Sequence, residues 1–273
     1  MNAPSSSTPV PPSSAHTTRP FKTEPFVAVP WERADLDSIV SRPFGIYLHV
    51  PFCTSRCGYC DFNTYALRTF PPGPAGDPIA HWAEQLTKEL RLGAQILTDH
   101  NITPPAANTV FFGGGTPSLL GRQLPKILDV VRECFGIAPG AEITSEANPE
   151  STSPELFDCW RAGGVNRLSL GMQSSEPRVL ALLDRQHDPA RAVAAIEEAQ
   201  AAGFEHLNLD LIYGTPGETT DDVARSVDTV LATGVDHVSA YALTIEPGTA
   251  LFRKVAHGEI AVSYTHLTLP TKA

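Results

Sequence analysis

The chain has 273 residues, 42% of them hydrophobic and 18% charged, which is enough for one large globular core or two small ones. Its formal net charge of -10 argues against a broad phosphate-neutralising surface, so a nucleic acid is not expected as a partner and a small molecule or protein is. No basic start leads into an apolar run and no apolar stretch is long enough to span a bilayer, so neither a leader nor a membrane span is expected, and the cytoplasm is the default compartment. In chain order, MNAPSSSTPVPPSSAHTTRP comes first; it is dense in Pro, Ser and Thr, with little to bury. Residues 1–43 therefore read as a mostly disordered lead-in.

From RPFGIYLHV onward, strand-like and helix-like stretches alternate. FGIYLHV (Phe44–Val50), NTVFF (Asn108–Phe112), AEITSE (Ala141–Glu146), NRLSLG (Asn166–Gly171), HLNLDLIY (His206–Tyr213) and DHVSAYALT (Asp236–Thr244) read as strands. The longer amphipathic stretches between them read as helices. Such alternation means a parallel sheet in an α/β fold. Three junctions resemble one another: GVNRLSL from Gly164, GFEHLNL from Gly203 and GVDHVSA from Gly234. In each, a helix ends on a glycine, which tolerates the left-handed cap, just before the next strand. Their unequal intervals suit successive βα units better than a stacked solenoid. The expectation is a partial (β/α)6 TIM-like barrel over residues 44–260.

In a βα barrel, function gathers where strands end and the following loops begin. The informative residues fall there. CTSRCGYCDF (Cys53–Phe62) follows the first strand, GGGTPS (Gly113–Ser118) the second, EANPE (Glu146–Glu150) the third, GMQS (Gly171–Ser174) the fourth and YGTPGET (Tyr213–Thr219) the fifth.

Five cysteines are an odd number in a chain too long to need staples, so thiols are expected rather than disulfides. Cys53, Cys57 and Cys60 suit either zinc, with His49 as a fourth ligand, or an iron-sulfur cubane that keeps one iron without a protein ligand. His49 alternates with Tyr47 on its strand, so packing under the loop is its simpler role. Cys134, in step with Leu124, Leu128 and Val131, and Cys159, close after Leu156, read as small core residues on apolar helix faces. Trp31, Trp82 and Trp160 read as packing, and His187 and His257 as exposed.

The spacing Cys-x3-Cys-x-aromatic-Cys, realised as Cys53, Cys57, Tyr59 and Cys60, together with GGGTP after the next strand, resembles the signature of the radical SAM superfamily. YLHVPFC, CDFNTY, FFGGGTPSLL, EANPE, NRLSLGMQS, LNLDLIYGTPGET and ALTIEPGT resemble one branch of it, from about Phe44 to about Ile260. That branch contains the oxygen-independent coproporphyrinogen III oxidases and the heme chaperones. The resemblance implies a [4Fe-4S] cluster on Cys53, Cys57 and Cys60, with S-adenosylmethionine chelating the open iron. It also implies that the reduced cluster breaks the sulfonium bond to form a 5'-deoxyadenosyl radical. By the same resemblance Tyr47, Glu146, Gln173, Arg185, Asp210 and Thr244 surround S-adenosylmethionine. Gly114, Gly115 and Thr116 then meet its methionine end, where glycine lets the backbone approach a ligand.

Physical sense supports several of these positions. The planar guanidinium of Arg185 suits a carboxylate, its alternative being a surface arginine on a helix. Asp210 interrupts an apolar strand, where an unpaired carboxylate is costly; ribose hydroxyls, or a lysine or arginine, would partner it. Glu146 and Gln173 end strands at the rim, although helix capping alone would explain Glu146.

Within the branch, the resemblance implies that the oxidases carry a further cysteine where this chain has Phe62, whereas heme chaperones share Cys60-Asp61-Phe62. The expected function is a heme chaperone that binds heme or a porphyrin and passes heme to a recipient hemoprotein. The alternative is an oxidase that converts coproporphyrinogen propionates to vinyls; a zinc-stabilised binding module comes third. After LFRKVAHGEI the family continues into a C-terminal domain, but AVSYTHLTLPTKA (residues 261–273) matches nothing expected there. The chain therefore reads as truncated with a foreign end, and no heme ligand is assigned.

Overall fold

A computed structural model describes residues 38–70, 77–185 and 188–261. Most of the lead-in (with Trp31), His187 and the tail from residue 262 lie outside the described residues. Six strands, β1 (Gly45–Val50), β2 (Ala107–Gly114), β3 (Ile137–Ala147), β4 (Arg167–Gln173), β5 (His206–Tyr213) and β6 (His237–Ala242), form one sheet in sequence order. Every neighbouring pair is parallel, from Gly45 opposite Thr109 in β1–β2 to Tyr213 opposite Ala242 in β5–β6. Among the described residues β1 and β6 remain edges, so the partial TIM-like barrel expected from the sequence is an open one there.

Helices fill the crossovers: α1 (Pro78–Asp99), α2 (Gln123–Cys134), α3 (Pro154–Gly163), α4 (Pro177–Leu182), α5 (Pro189–Ala201) and α6 (Thr220–Ala232), with α7 (Ala250–Ala256) after β6. Four begin on a proline, which forfeits no hydrogen bond at the first helical position. Asp77, Ser153 and Asp188 cap three of these by accepting from backbone N–H groups, and Thr219 with Asp222 forms a reciprocal capping box on α6. The three helix-glycine-strand junctions hold. Gly164, Gly203 and Gly234 have φ of 105°, 85° and 71°, conformations a β-carbon would strain.

Alternation along the strands sorts the two faces of the sheet. Leu48, Val50, Val110, Phe112, Leu168, Leu170, Leu207 and Leu209 pack beneath the helices against Leu124, Leu128, Val131, Phe157, Trp160 and Ile196. Trp160 is fully buried and its Nε1 donates to the Gly121 carbonyl at 2.9 Å, which confirms its packing role; Trp82 packs at the margin of the same core. Cys134 and Cys159 depart from expectation in degree. Both are half-buried, because each stands at the shoulder of its helix's buried stripe rather than on it. His257 is exposed, as expected. A second, smaller core joins Val179, Leu183, Ile212, Leu243, Ile245 and Leu251, with Tyr59 packed against it. Among the described residues no helix is long and apolar enough to cross a membrane.

Candidate functional site

Strand ends and following loops enclose a cavity of about 900 Å³ on the face of the sheet away from the main core. Its lining includes Cys53, Cys57 and Cys60 from the first loop, Gly114, Gly115 and Thr116 from the second, and Glu146 from the third. The far side contributes Gln173, Arg185, Asp210 and Thr244. Eleven of the twelve candidate residues named from the sequence thus share one space. The exception is Tyr47, which lies on the same face of the sheet but outside the lining, 58% exposed, with its ring stacked near Phe111.

The cysteine loop is pinned at its base. Phe52–Cys53 pairs with Tyr65–Ala66, the Gly115 N–H donates to the Val50 carbonyl, and the Thr116 N–H donates to the Phe52 carbonyl, both at 2.7 Å. This gives the glycine run a reason the sequence did not supply. A β-carbon on Gly115 would stand 2.5 Å from the Phe52 carbonyl oxygen, and one on Gly114 would stand 2.6 Å from the His49 ring. Glycine is required here so that β2 can close on the chain leaving β1, before any ligand is considered.

His49 is not free to ligate a metal. The Tyr47 hydroxyl meets its Nδ1 at 3.0 Å, and its Nε2 meets the Asn63 carbonyl at 3.0 Å. It packs under the loop, as its strand position suggested. The Cys53 thiol is buried and bonded by the Thr116 and Thr64 hydroxyls; burial pushes its pKa up, and the neighbouring Cys60 and Cys57 add to that rise. Among the described residues no three His, Cys, Asp or Glu side chains converge as ligands of a single ion. A tetrahedral zinc would draw its sulfurs to about 3.8 Å of one another, given Zn–S bonds of about 2.3 Å. A multi-iron cluster makes no such demand, because there each sulfur takes a different iron.

The remaining side chains form a polar wall. The Glu146 carboxylate accepts from the Gly114 N–H at 3.0 Å, so it braces the glycine loop instead of capping a helix. Its pKa is raised by burial, partly offset by that hydrogen bond, with the nearby Asp210 charge raising it further. Among the described residues Asp210 has no ion-pair partner within bonding distance. Asn208 donates to it at 2.7 Å and Ser169 to both its oxygens at 3.2 Å, yet burial still holds its pKa above the ordinary carboxylate range. Arg185 is no surface arginine: Nη1 approaches the Cys57 sulfur at 3.4 Å and Nη2 donates to the Gly171 carbonyl at 2.9 Å. Its Nε is buried with no hydrogen-bond partner among the described residues. Gly171 leaves the room this needs, since a β-carbon there would meet Arg185 Nη2 at 2.7 Å. Gln173 is buried at φ 68°, just past a register shift in the β4–β5 pairing, and lines the cavity. Sequence reasoning missed Ser169 and Asn208, although both alternate with the site residues Gly171 and Asp210 on their own strands. That period of two was the available signal.

The fold and this rim define a class: an open parallel βα barrel with a thiol-rich cavity at its strand ends. The profile of the Radical SAM superfamily matches residues 47–230. The heme chaperone HemW of Mycobacterium tuberculosis is 55% identical over 237 residues, covering 86% of this chain and 58% of that protein. The Escherichia coli heme chaperone HemW is 36% identical over 210 residues, covering 76% and 52%. Among solved structures, the E. coli coproporphyrinogen III oxidase HemN, described as a radical SAM enzyme, matches with a TM-score of 0.70 at 27% identity over 89% of this chain and 53% of that one. The chain belongs to the radical SAM superfamily, with relatives named HemW and a structural neighbour in HemN. It spans a little over half the length of these relatives.

Proposed function

We propose that residues 44–260 are the cofactor-binding core of a radical SAM heme chaperone. The observation that carries the reading is the shared cavity, in which Cys53, Cys57 and Cys60 face a wall of Glu146, Arg185 and Asp210. The three cysteines would hold a [4Fe-4S] cluster. Gly114, Gly115, Thr116, Glu146, Gln173, Arg185, Asp210 and Thr244, with Tyr47 beside them, would hold S-adenosylmethionine. When bound, the two cofactors supply reductive cleavage of a sulfonium bond.

This chain's side chains have distinct work around them. Arg185 sets a cation against the Cys57 sulfur and offers its unpartnered Nε to a carboxylate after a small shift. Glu146 and Asp210 present acceptors to an ammonium or to hydroxyls. Cys53 must shed a proton to become a ligand, and its raised pKa means that loading releases that proton and is favoured as pH rises. Phe62, 57% exposed on the cavity wall where the oxidases are expected to carry a further cysteine, favours the chaperone. So do the HemW relatives. The second reading, a coproporphyrinogen III oxidase, draws on the structural likeness to HemN. Thiol ligands suit the reducing cytoplasm, and the recipient would be a hemoprotein.

The test is anaerobic reconstitution with iron and sulfide. It is applied to this chain and to a version extended with the C-terminal remainder of the M. tuberculosis relative. Cys57→Ala should lose the iron and Cys134→Ala should keep it. The extended protein should take up heme stoichiometrically and hand it to an apo-hemoprotein. Repeated conversion of coproporphyrinogen III, with reductant and S-adenosylmethionine present, would overturn the chaperone reading in favour of the oxidase.

A further inference from the structure

The cysteine loop is held on its far side by α7, some 190 residues downstream. Gly58, between Cys57 and Tyr59, donates its N–H to the Leu183 carbonyl at 3.0 Å, and its own carbonyl accepts from the Leu251 N–H at 2.8 Å. A β-carbon on Gly58 would lie 2.3 Å from Asp184 Oδ2, so the loop and Asp184 are in close contact. Asp184 stands at φ 53° and takes both its carboxylate oxygens to Lys254 Nζ, at 3.0 and 3.1 Å. The next residue is Arg185, whose guanidinium reaches Cys57. Leu251 is fully buried in the small core against which Tyr59 also packs.

Lys254 and Leu251 do not line the cavity, and a half-exposed ion pair such as Lys254–Asp184 adds little to global stability. Its location is what matters. It joins α7 to Gly58 on one side of Asp184 and to Arg185 on the other.

We propose that α7 is a latch on the cysteine loop, in which Lys254, through Asp184, and Leu251, through Gly58, are positioning residues for Cys57 and for the guanidinium beside it. The latch is a property of the polypeptide alone. Its consequence for an iron-sulfur cluster rests on the function proposed above.

The two are tested separately. In the metal-free protein, Lys254→Ala should speed hydrogen exchange at the Gly58 amide and alkylation of Cys57 by roughly tenfold, as expected for local opening, and leave exchange around Trp160 and the melting temperature unchanged. Lys254→Arg should restore protection, and Arg253→Ala, on the same helix, should have no effect. After reconstitution, Lys254→Ala should retain less iron and shift the cluster's electron paramagnetic resonance signal. Unchanged protection of Gly58 and Cys57 in both Lys254→Ala and Leu251→Ala would sink the latch. A loosened loop with undiminished iron would keep the latch and count instead against Cys57 as a cluster ligand.

Discussion

The two halves of the rim are built differently. On the β1–β3 side the geometry is set by backbone against backbone: Gly115 and Thr116 bonded to the chain leaving β1, and glycines where a β-carbon would strike a carbonyl or a ring. On the β4–β6 side it is set by side chains: Asp210 among Asn208 and Ser169, and Arg185 between Cys57 and Gly171. The backbone half tolerates no added atom, so its substitutions should act on loop structure. The side-chain half carries buried, incompletely compensated charge, so its substitutions should trade ligand affinity against stability.

The largest effect should come from Gly115→Ala. The new β-carbon would meet two carbonyl oxygens, those of Phe52 and Val50, at 2.5 and 2.9 Å, and backbone atoms cannot rotate away. A cost of about 2–3 kcal/mol in urea unfolding is expected, with failure to retain iron on reconstitution. A Gly115→Ala protein with wild-type stability would erase the distinction between the halves.

Asp210→Asn should move stability the other way. Because burial raises the folded-state pKa of Asp210, the folded protein keeps that proton to higher pH than the unfolded chain does. The stability this contributes is fully present below the ordinary carboxylate pKa and is lost as pH rises through the raised value. At neutral pH the amide should therefore stabilise the metal-free protein by about 1–2 kcal/mol and flatten the decline of melting temperature with pH, while S-adenosylmethionine binds more weakly. Calorimetry across the acidic-to-neutral range, with and without the ligand, reads both. A destabilised Asp210→Asn protein would show that the wall is compensated after all.

The smallest effect belongs to Cys159→Ala. Half-buried on α3 and away from the cavity, it should change unfolding by no more than about 1 kcal/mol and leave iron content intact. Loss of iron here would move the cluster off the rim.

Much of this was readable from one sequence. HLNLDLIY coincides with β5 from His206 to Tyr213 because its alternation of Leu with polar residues has no competing signal. β3 runs longer than expected, from Ile137 rather than Ala141, because the chain already pairs with β2 at Ile137 and bulges through Gly140, at φ 76°, before the pairing resumes at Glu142. Placing function at strand ends brought eleven of twelve candidates into one cavity, since parallel strands deliver their C-terminal ends to one side. What the sequence hid is long-range: that GGG packs on the Phe52 and Val50 carbonyls, that Ser169 and Asn208 serve Asp210, and that Gly58 answers to Leu251. No local period marks a contact between residues so far apart.

That last separation has a consequence in time. Because strand order equals chain order, the sheet can assemble as it emerges during synthesis, each strand pairing with the one made just before. The cysteine loop is therefore translated early and α7 late. At about 5–20 residues per second, the 190 or so residues between Gly58 and Leu251 take roughly 10–40 s to make. β2 follows early in that interval and Leu183 and Arg185 later, but until α7 is made the Gly58 carbonyl and Asp184 lack the partners that Leu251 and Lys254 supply.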